Sequence, residues 1–323
     1  MTTVRPFDAC LHIGLPKTAT TLLQAKLFPH HPEVAYLGKY VESERNGAQV
    51  QDARWCVERA VRKPFQDCDM DAVSVAFEAQ VGADRAAGKL LVWSSEDLTV
   101  GSRERRRARA ERLRKLLGPS RIVLTVRHPV RLLESLYLQL VRANVVGRPA
   151  KVGQAWDVPS PAAWLETHDA LPERGALGHI DYAETLKIYT EVFGEDAVRV
   201  FVFEELVSAP EAFVSSLCGF LQIDADLGLA ALEGERRNDR WTQAQFDHLV
   251  ALHQTRLGRA AVRFAPVGFR RWYFEQGQKA DGPKASAHLP ADWAARILEE
   301  TAAGHRWMAD RWGVPLAELG YPV

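Results

Sequence analysis

The sequence predicts an α/β protein built on a parallel sheet, with helices on both faces and a helical C-terminal extension. Three observations predict it. Short apolar stretches alternate with longer helical patterns over residues 8–221, and two strand-to-helix junctions carry clustered cationic and hydroxyl side chains. Beyond residue 241 the apolar spacing is helical. Strands separated by helices pair in parallel, because each connection crosses back over the sheet.

Each element follows from its local pattern. Apolar runs rich in β-branched residues predict strands at 8–14, 89–95, 121–127 and 197–203. Helical spacing predicts helices at 20–28, near 51–63, near 71–87, 103–117, 129–143, 180–193 and 210–221. The C-terminal helices are expected at 242–256, 260–278 and 290–312, with a turn at 280–284. Residues 144–161 are rich in Gly and Pro and are predicted to be irregular. We expect one domain over residues 1–323, with a core at 8–240 and a helical part at 241–323.

Composition excludes some function classes. Lys+Arg and Asp+Glu both total 41 in 323 residues, so no overall field favours nucleic acid or an anionic membrane. The basic run at 103–115 is interrupted by glutamates and predicts a solvated helix; guidance of an anionic ligand is the alternative. The four cysteines lack metal-ligand spacing. With neither an apolar signal core nor a membrane-length run, we expect a cytoplasmic protein. The oligomeric state is not indicated.

The most informative motif is LHIGLPKTATTLLQ at residues 11–24. An apolar strand runs into a tight turn and then into a helix. The first N–H groups of a helix lack intrahelical partners and lie at the positive end of its dipole, so they bind anions. Lys17 adds a positive charge there, and the hydroxyls of Thr18, Thr20 and Thr21 add donors.

This P-loop-like turn is not a Walker A loop. A Walker A loop has four residues between two glycines, followed by Lys and Ser/Thr, which suits a metal-bound triphosphate. Here Gly14 is the only glycine, and Lys17 precedes the threonines. The shorter loop suits a 5′-phosphate or a phosphosulfate. An ordinary strand–turn–helix corner with a solvated lysine is the alternative.

A second strand–helix unit, SRIVLTVRHPVRLLESLYLQLVR at residues 120–142, carries Arg127 at the end of its strand. Pro129 fits the first turn of the following helix, where its missing N–H costs nothing. Arginine binds phosphate bidentately and stays charged. Ligands of open α/β sheets bind outside the carboxyl ends of the strands, where both motifs lie. A surface ion pair is the alternative role for Arg127, and a helix-face hydroxyl is the alternative for Ser135.

Together these motifs resemble those of sulfotransferases that use 3′-phosphoadenosine 5′-phosphosulfate (PAPS), in the soluble bacterial form without a signal anchor. The resemblance implies that Pro16, Lys17, Thr18, Ala19, Thr20 and Thr21 form the 5′-phosphosulfate loop, with Ala19 where the family usually has glycine. It implies that Arg127 and Ser135, with seven residues between them, bind the 3′-phosphate.

The resemblance continues along the chain. Residues 182–224 resemble the family's helix–strand–helix segment with its VFVFEEL strand end, and GERRNDRWTQ resembles a later basic loop. In relatives a basic residue of that loop closes over the 3′-phosphate, which implies the same for Arg236 or Arg237; a solvated turn is the alternative. The resemblance covers residues 8–240, and the helical tail more loosely.

A base is expected in KLLVWSSEDL at residues 89–98. Sulfuryl transfer to an alcohol needs a group that accepts the hydroxyl proton. Glu96 follows the strand between the two phosphate motifs, as a glutamate does in several carbohydrate sulfotransferases, and it is our candidate. Capping or charging of the next helix is the alternative, and the favoured role for Asp97. Weaker candidates are His30, His31, His128 and His179.

Aromatic residues mark two regions that are candidates for the acceptor pocket. Tyr36 and Tyr40 follow the first helix, and Trp156 and Trp164 lie in the later irregular region. Packing onto the core is the favoured alternative for the tryptophans. Residues 268–275, GFRRWYFE, are expected to contact the body or a second subunit.

The expected activity is transfer of the sulfuryl group of PAPS to an acceptor hydroxyl of a carbohydrate or small molecule, leaving adenosine 3′,5′-bisphosphate. In this scheme Lys17 neutralises the departing phosphate and Glu96 takes the proton, and no metal is needed. The sequence leaves two alternative functions open. One is a P-loop kinase, disfavoured by the missing second glycine, and the other is a non-catalytic nucleotide-binding module.

Overall fold

The computed structural model describes residues 6–38, 52–62, 68–146, 158–171, 175–232, 241–266, 268–269 and 282–323. Contacts divide the chain into two compact units. The first comprises Met1–His128, Gly178–Gly234 and Glu300–Val323, and the second comprises Pro129–Leu177 and Glu235–Glu299. The expectation of one domain with a boundary near residue 240 stays a prediction. Arg236, Arg237, Tyr40 and Trp156 lie outside the described residues.

The first unit contains a parallel sheet, as predicted, and the sheet has five strands rather than the four expected. Its strands are β1 (Ala9–His12), β2 (Val34–Tyr36), β3 (Leu90–Ser94), β4 (Ser120–Val126) and β5 (Val198–Val202). The order is β2-β3-β1-β4-β5, and every neighbouring pair is parallel. The register pairs His12 of β1 with Ser94 on one side and with Val123 on the other. The central strand is therefore the one that leads into the Lys17 loop.

The helices of the described residues follow one another along the chain. They are α1 (Thr20–Leu22, π-helical Leu23–Leu27, and Phe28–His30), α2 (Ala53–Val61), α3 (Met70–Ala86), α4 (Arg103–Leu117), α5 (Pro129–Val146), α6 (Pro161–Asp169), α7 (Tyr182–Phe193), α8 (Phe203–Ser208), α9 (Pro210–Leu221), α10 (Ala225–Ala231), α11 (Gln243–Gln254), α12 (Arg256–Phe264) and α13 (Ala291–Trp312). None of those in the described part of the chain has the length and apolar character of a membrane span.

Helices of the first unit cover both faces of the sheet. On one face the strand residues Cys10, Val92, Val123 and Phe201 pack with apolar side chains of α1 and α9. Successive strand residues point to opposite faces, so their neighbours along the strands face the other way. On that side α7 packs against β4, β5 and α4. The carboxyl edge of the sheet is left for the loops.

The second unit has its own aromatic core. The Tyr137 ring of α5 lies 5.7 Å from the Trp164 ring of α6 and 6.4 Å from the Phe246 ring of α11, all edge-on. Arg296 donates two hydrogen bonds of 2.9 Å to the Asp169 carboxylate. Trp164 is buried. Trp164 therefore packs in a core, which was the alternative to stacking against an acceptor.

The predicted element boundaries are largely confirmed, including both ends of α4 and of α9. Two predictions are wrong. The helix expected to end at residue 143 continues to Val146, and the helix Pro161–Asp169 was not expected. Residues 34–36 were assigned to an acceptor region but form the edge strand β2, where the Tyr36 ring packs 5.9 Å from Phe28. Tyr36 therefore belongs to the core.

Candidate active site

Three neighbouring strands of the first unit end at the same edge of the sheet. β1 lies between β3 and β4, so the Lys17 loop emerges between the turn after β3 and the Arg127 segment after β4. Backbone bonds continue past the strand ends: Ser95 N–H donates to His12 O at 3.1 Å, and Ile13 N–H donates to Val123 O at 2.9 Å. The sheet thus brings the loop, the glutamate turn and the arginine together.

The Lys17 loop has a strained backbone. Lys17 and Ala19 have φ angles of 66° and 62°, in the left-handed region. That conformation costs a residue with a Cβ about 1–2 kcal/mol. Where right-handed and left-handed residues alternate along a backbone, successive N–H groups point toward one place and can form an anion-binding concavity. Ala19 also precedes α1 as its N-cap residue, so it adopts the conformation for which the family's glycine is suited.

Two of the three loop threonines stabilise the loop itself. The hydroxyls of Thr18 and Thr20 donate to the Leu15 carbonyl oxygen at 2.7 and 2.8 Å, and both side chains are buried. Thr21 is exposed at the start of α1. The three hydroxyls were expected to face an anion together. Thr18 and Thr20 instead close the turn from inside, and Thr21 is the threonine that faces outward.

A buried histidine under the loop was missed by the sequence analysis. His12 Nδ1 lies 2.7 Å from Ser94 Oγ, and its Nε2 lies 3.3 Å from Thr125 Oγ1. Gln24 Nε2 of α1 donates to the same Ser94 oxygen at 2.9 Å. We assign the Ser94 hydroxyl as the donor to His12 Nδ1. The imidazole proton then lies on Nε2, which faces Thr125 Oγ1. The network ties β1, β3, β4 and α1 together below the anion loop.

Burial lowers the pKa of His12 to about 3, so the ring is neutral near pH 7. The position of the His12 ring also explains why residue 14 is a glycine. A Cβ on Gly14 would lie 2.6 Å from His12 Nε2 and 3.0 Å from Thr20 Oγ1. Only glycine allows the loop to pass this close to the histidine. The available sequence signal was a single histidine inside an apolar strand that leads into the motif.

Arg127 is joined directly to the loop. Its Nη1 donates to the Lys17 carbonyl oxygen at 2.9 Å, and its guanidinium lies 4.6 Å from the centre of the Phe203 ring. The Arg127 carbonyl oxygen accepts a 2.5 Å bond from the Tyr182 hydroxyl. The side chain is 9% exposed. Arg127 is therefore a buried cation, fixed against the loop that carries Lys17.

The other residues predicted for the 3′-phosphate are not brought to this cluster by a described contact. Ser135 is a buried residue of α5 in the second unit. Arg236 and Arg237 lie outside the described residues. Their assignment rests on the sequence.

Glu96 opens a short 3₁₀ turn, Glu96–Thr99, directly after β3. Ser95 is the N-cap, because its hydroxyl accepts from the Asp97 N–H at 3.3 Å. Asp97, for which a capping role was favoured, is exposed in the first turn and is not the N-cap. Arg109 of α4 holds the turn, with Nη1 2.7 Å from both Asp97 O and Val100 O. Glu96 itself is half-buried.

The four histidines weighed as bases fall in different places. His30 is the last residue of α1 and His31 follows it, roughly 15 Å from the loop at about 1.5 Å per residue. His31 Nε2 bonds Asp224 O at 2.9 Å. His128 follows Arg127, and its Nε2 donates to Gly320 O at 3.0 Å. His179 Nδ1 lies 3.5 Å from Thr99 Oγ1, so it contacts the turn that carries Glu96.

The basic run of α4 binds neighbouring helices. Arg103 Nη1 lies 2.5 Å from a Glu184 carboxylate oxygen of α7, and Arg106 Nη1 donates to Thr185 Oγ1 at 2.8 Å. Arg107 of α4 forms an ion pair with Glu191 of α7. These contacts give the run a structural role in fixing α4 against α7.

The fold and this edge define a class: a parallel α/β protein with a short loop of left-handed residues after its central strand. The chain belongs to the sulfotransferase family, whose sequence pattern matches residues 11–226. It is therefore a transferase, and the kinase and non-catalytic alternatives are set aside. Curated protein sequences gave no match.

Solved structures show similar chains. A sulfotransferase from Alicyclobacillus acidocaldarius is 18% identical with a TM-score of 0.45, covering 83% of this chain and 100% of its own. The sulfotransferase domain from the curacin biosynthetic pathway is 14% identical with a TM-score of 0.42, covering 92% and 98%. A mouse sulfotransferase complexed with PAP is 13% identical with a TM-score of 0.37, covering 80% and 89%.

Proposed function

We propose that this sulfotransferase takes its sulfuryl group from PAPS and transfers it in line, without a metal ion, to a hydroxyl of a carbohydrate or small-molecule acceptor. The observation that carries the proposal is the bond from Arg127 Nη1 to Lys17 O. It joins a buried arginine to a strained anion loop at one sheet edge. A nucleotide with phosphates at both the 5′ and 3′ positions needs two such cationic groups in fixed relation.

The residues of the loop fit a 5′-phosphate. Positive φ angles at Lys17 and Ala19 turn backbone N–H groups toward a common point, at the start of α1. The outward hydroxyl of Thr21 and the Lys17 ammonium add donors, while Thr18 and Thr20 stabilise the turn. Pro16 fixes the approach of the chain. Gly14 keeps the loop close to the sheet, where a Cβ would not fit.

Arg127 is proposed to bind the 3′-phosphate, together with Ser135 and with Arg236 or Arg237. For Arg127 the support is structural, since a buried guanidinium held by Lys17 O and Phe203 is already oriented. Preorganised charge loses little entropy on binding. For the other three residues the support is the spacing and loop pattern of the sequence.

The chemistry assigns different tasks to Lys17 and Glu96. PAPS supplies an activated sulfuryl group whose leaving group is a phosphate. Lys17 lies in the anion loop, where its ammonium stabilises the negative charge that grows on that phosphate. Glu96, at the neighbouring strand end, accepts the proton of the acceptor hydroxyl as its oxygen attacks sulfur. The sulfuryl group carries less charge than a phosphoryl group, so the cationic loop suffices without a metal.

We also propose a cytoplasmic location. Its support is that all four cysteines (Cys10, Cys56, Cys68 and Cys218) are buried free thiols. Unpaired thiols are typical of reducing compartments.

The test combines binding and turnover. Adenosine 3′,5′-bisphosphate should raise the melting temperature more than ATP with Mg²⁺ does. A mass-spectrometric screen of an acceptor library with PAPS should reveal a product heavier by one sulfuryl group, with wild-type enzyme but not with Lys17→Ala. Stabilisation by ATP with Mg²⁺ alone would contradict the proposed donor.

A further inference from the structure

The end of the chain packs behind the Arg127 segment. Gly320 O accepts a 3.0 Å bond from His128 Nε2, and the Tyr321 ring lies edge-on to the His128 ring, 5.4 Å between centres. The Tyr321 side chain is 4% exposed. All these residues belong to the first unit. The turn that contains Gly320 and Tyr321 is therefore part of the structure that surrounds the end of β4.

Glu204 connects that turn to the backbone beside Arg127. Its Oε1 accepts the His128 N–H at 3.1 Å, and its Oε2 accepts the Tyr321 hydroxyl at 2.7 Å. The preceding residue, Phe203, lies under the Arg127 guanidinium at 4.6 Å. The start of α8 thus holds both the arginine side chain and the peptide that follows it.

A second tyrosine completes the support. The Tyr182 hydroxyl donates to Arg127 O, and its ring lies 5.6 Å from the His305 ring, which in turn lies 5.3 Å from Tyr321. His305 Nδ1 bonds Pro322 O at 3.1 Å. Burial raises the pKa of the Tyr321 hydroxyl, so it stays a neutral donor toward Glu204. The carbonyl oxygen and the N–H of the Arg127–His128 peptide group are therefore each held by a side chain, the first by Tyr182 and the second by Glu204.

We propose that Tyr321 and Glu204 are positioning residues for Arg127, so that the C-terminal turn sets the enzyme's preference for a nucleotide with a 3′-phosphate. This inference rests on the proposed function. Tyr321 orients the Glu204 carboxylate, Glu204 fixes the His128 N–H, and Arg127 is held in register with Lys17. None of these contacts requires Tyr321 or Glu204 to touch the nucleotide.

The experiment measures the affinity for adenosine 3′,5′-bisphosphate and for adenosine 5′-phosphate by calorimetry. The ratio of the two affinities isolates the 3′-phosphate contribution, because a general loss of stability changes both. Tyr321→Phe removes one hydroxyl and should lower this ratio roughly 5- to 10-fold, as expected for one buried hydrogen bond. Glu204→Ala should lower it at least as much, and adding Tyr321→Phe to Glu204→Ala should change it no further.

Two variants serve as matched controls. Tyr189 is fully buried in α7, and its hydroxyl has no hydrogen-bond partner among the described residues. Tyr189→Phe should therefore leave the ratio unchanged. Glu204→Gln keeps an oxygen for the His128 N–H and an amide next to Tyr321, and it should restore most of the ratio lost in Glu204→Ala.

The outcomes are distinguishable. A wild-type preference for the bisphosphate that Tyr321→Phe reduces and Tyr189→Phe does not supports the inference. A wild-type preference that both Tyr321→Phe and Glu204→Ala leave intact overturns it while the proposed donor stands. Equal wild-type affinities for the two nucleotides would overturn the proposed donor and this inference together.

Discussion

Two adjacent strand ends of the first unit, the Lys17 loop and the Glu96 turn, are held in different ways. The loop is fixed from inside by His12, which is buried against Ser94, and by two buried threonine hydroxyls on Leu15 O. The turn is fixed from outside, by the Arg109 guanidinium on its carbonyl groups. The Lys17 loop is thus held by buried groups of the core, whereas Glu96 lies in a short turn near the surface.

This difference bears on the roles of the Lys17 loop and the Glu96 turn. A strained loop with two left-handed residues persists only where its surroundings determine it, and the buried network provides that. A 3₁₀ turn at the surface has fewer constraints, which suits a group that must meet acceptor and solvent. Changes under the loop should therefore affect stability, and changes in the turn should affect turnover.

The largest effect is expected for Lys17→Ala. Removing a preorganised charge that stabilises the transition state typically lowers kcat about 10²–10³-fold, and here PAPS binding should change much less. Alanine keeps the left-handed strain at this position, and Lys17→Gln should not restore activity, so the loss reports the charge. The control is Lys26→Ala, which removes an exposed lysine of α1, the helix that follows the loop. A Lys17→Ala enzyme with near-normal kcat would exclude the role.

Glu96→Gln should follow, with kcat lowered about 10²-fold, within the usual range for general-base assistance, and with unchanged melting temperature and bisphosphate affinity. Asp97→Asn, in the same turn but exposed, should retain turnover. Steady-state kinetics and thermal melting on the pair distinguish the outcomes. If Glu96→Gln turns over normally, the base is to be sought at His179, which contacts the same turn.

Ser94→Ala should destabilise the protein by about 1–3 kcal/mol, because it leaves His12 and Gln24 buried without this shared partner. The measurement is urea unfolding. Ser74→Ala removes one local hydrogen bond, to Met70 O within α3, and should cost less. Equal costs for the two serines would contradict the distinction between a core-fixed loop and an ordinary surface bond.

A further effect is a pH slope of the stability. Burial lowers the pKa of His12 to about 3 and of His305 to about 4, against about 6.5 in the unfolded chain. The unfolded state therefore binds more protons between these values, so stability is full above about pH 6.5 and is lost as pH falls. Each histidine contributes a slope of about 1.4 kcal/mol per pH unit in that window.

Urea unfolding between pH 6 and pH 5 tests this slope. His12→Asn should remove one histidine's share, and His305→Asn should remove the other. The slopes, rather than the absolute stabilities, are compared between variants. A slope that neither substitution changes would show that these rings are not buried neutral histidines.

Local patterns predicted most of the fold. Both boundaries of α4 were predictable because Ser102 caps its start and Gly118, with φ 76°, ends it. The loop and Arg127 were predictable because each motif spans a single strand–helix junction. β2 was missed, since three residues at a sheet edge carry little pattern of their own.

The contacts that hold the site could not be predicted in this way. His12 meets partners 82 and 113 residues away, and Tyr321 meets Glu204 across 117 residues. Sequence spacing does not report which distant side chains a sheet brings together. It also does not report hydroxyl direction, which is why Thr18 and Thr20 were expected to face an anion.

In the proposed function Arg127, fixed to the Lys17 loop, recognises the 3′-phosphate of the nucleotide. The direct test is calorimetric titration of Arg127→Ala with adenosine 3′,5′-bisphosphate and with adenosine 5′-phosphate. Arg121→Ala is the matched control, because Arg121 lies at the opposite end of β4, between the rings of Phe7 and Phe220. We predict that Arg127→Ala loses about 1.5–3 kcal/mol of bisphosphate binding, with little loss for the monophosphate, while Arg121→Ala keeps the preference. Equal losses for both nucleotides in Arg127→Ala would contradict the claim.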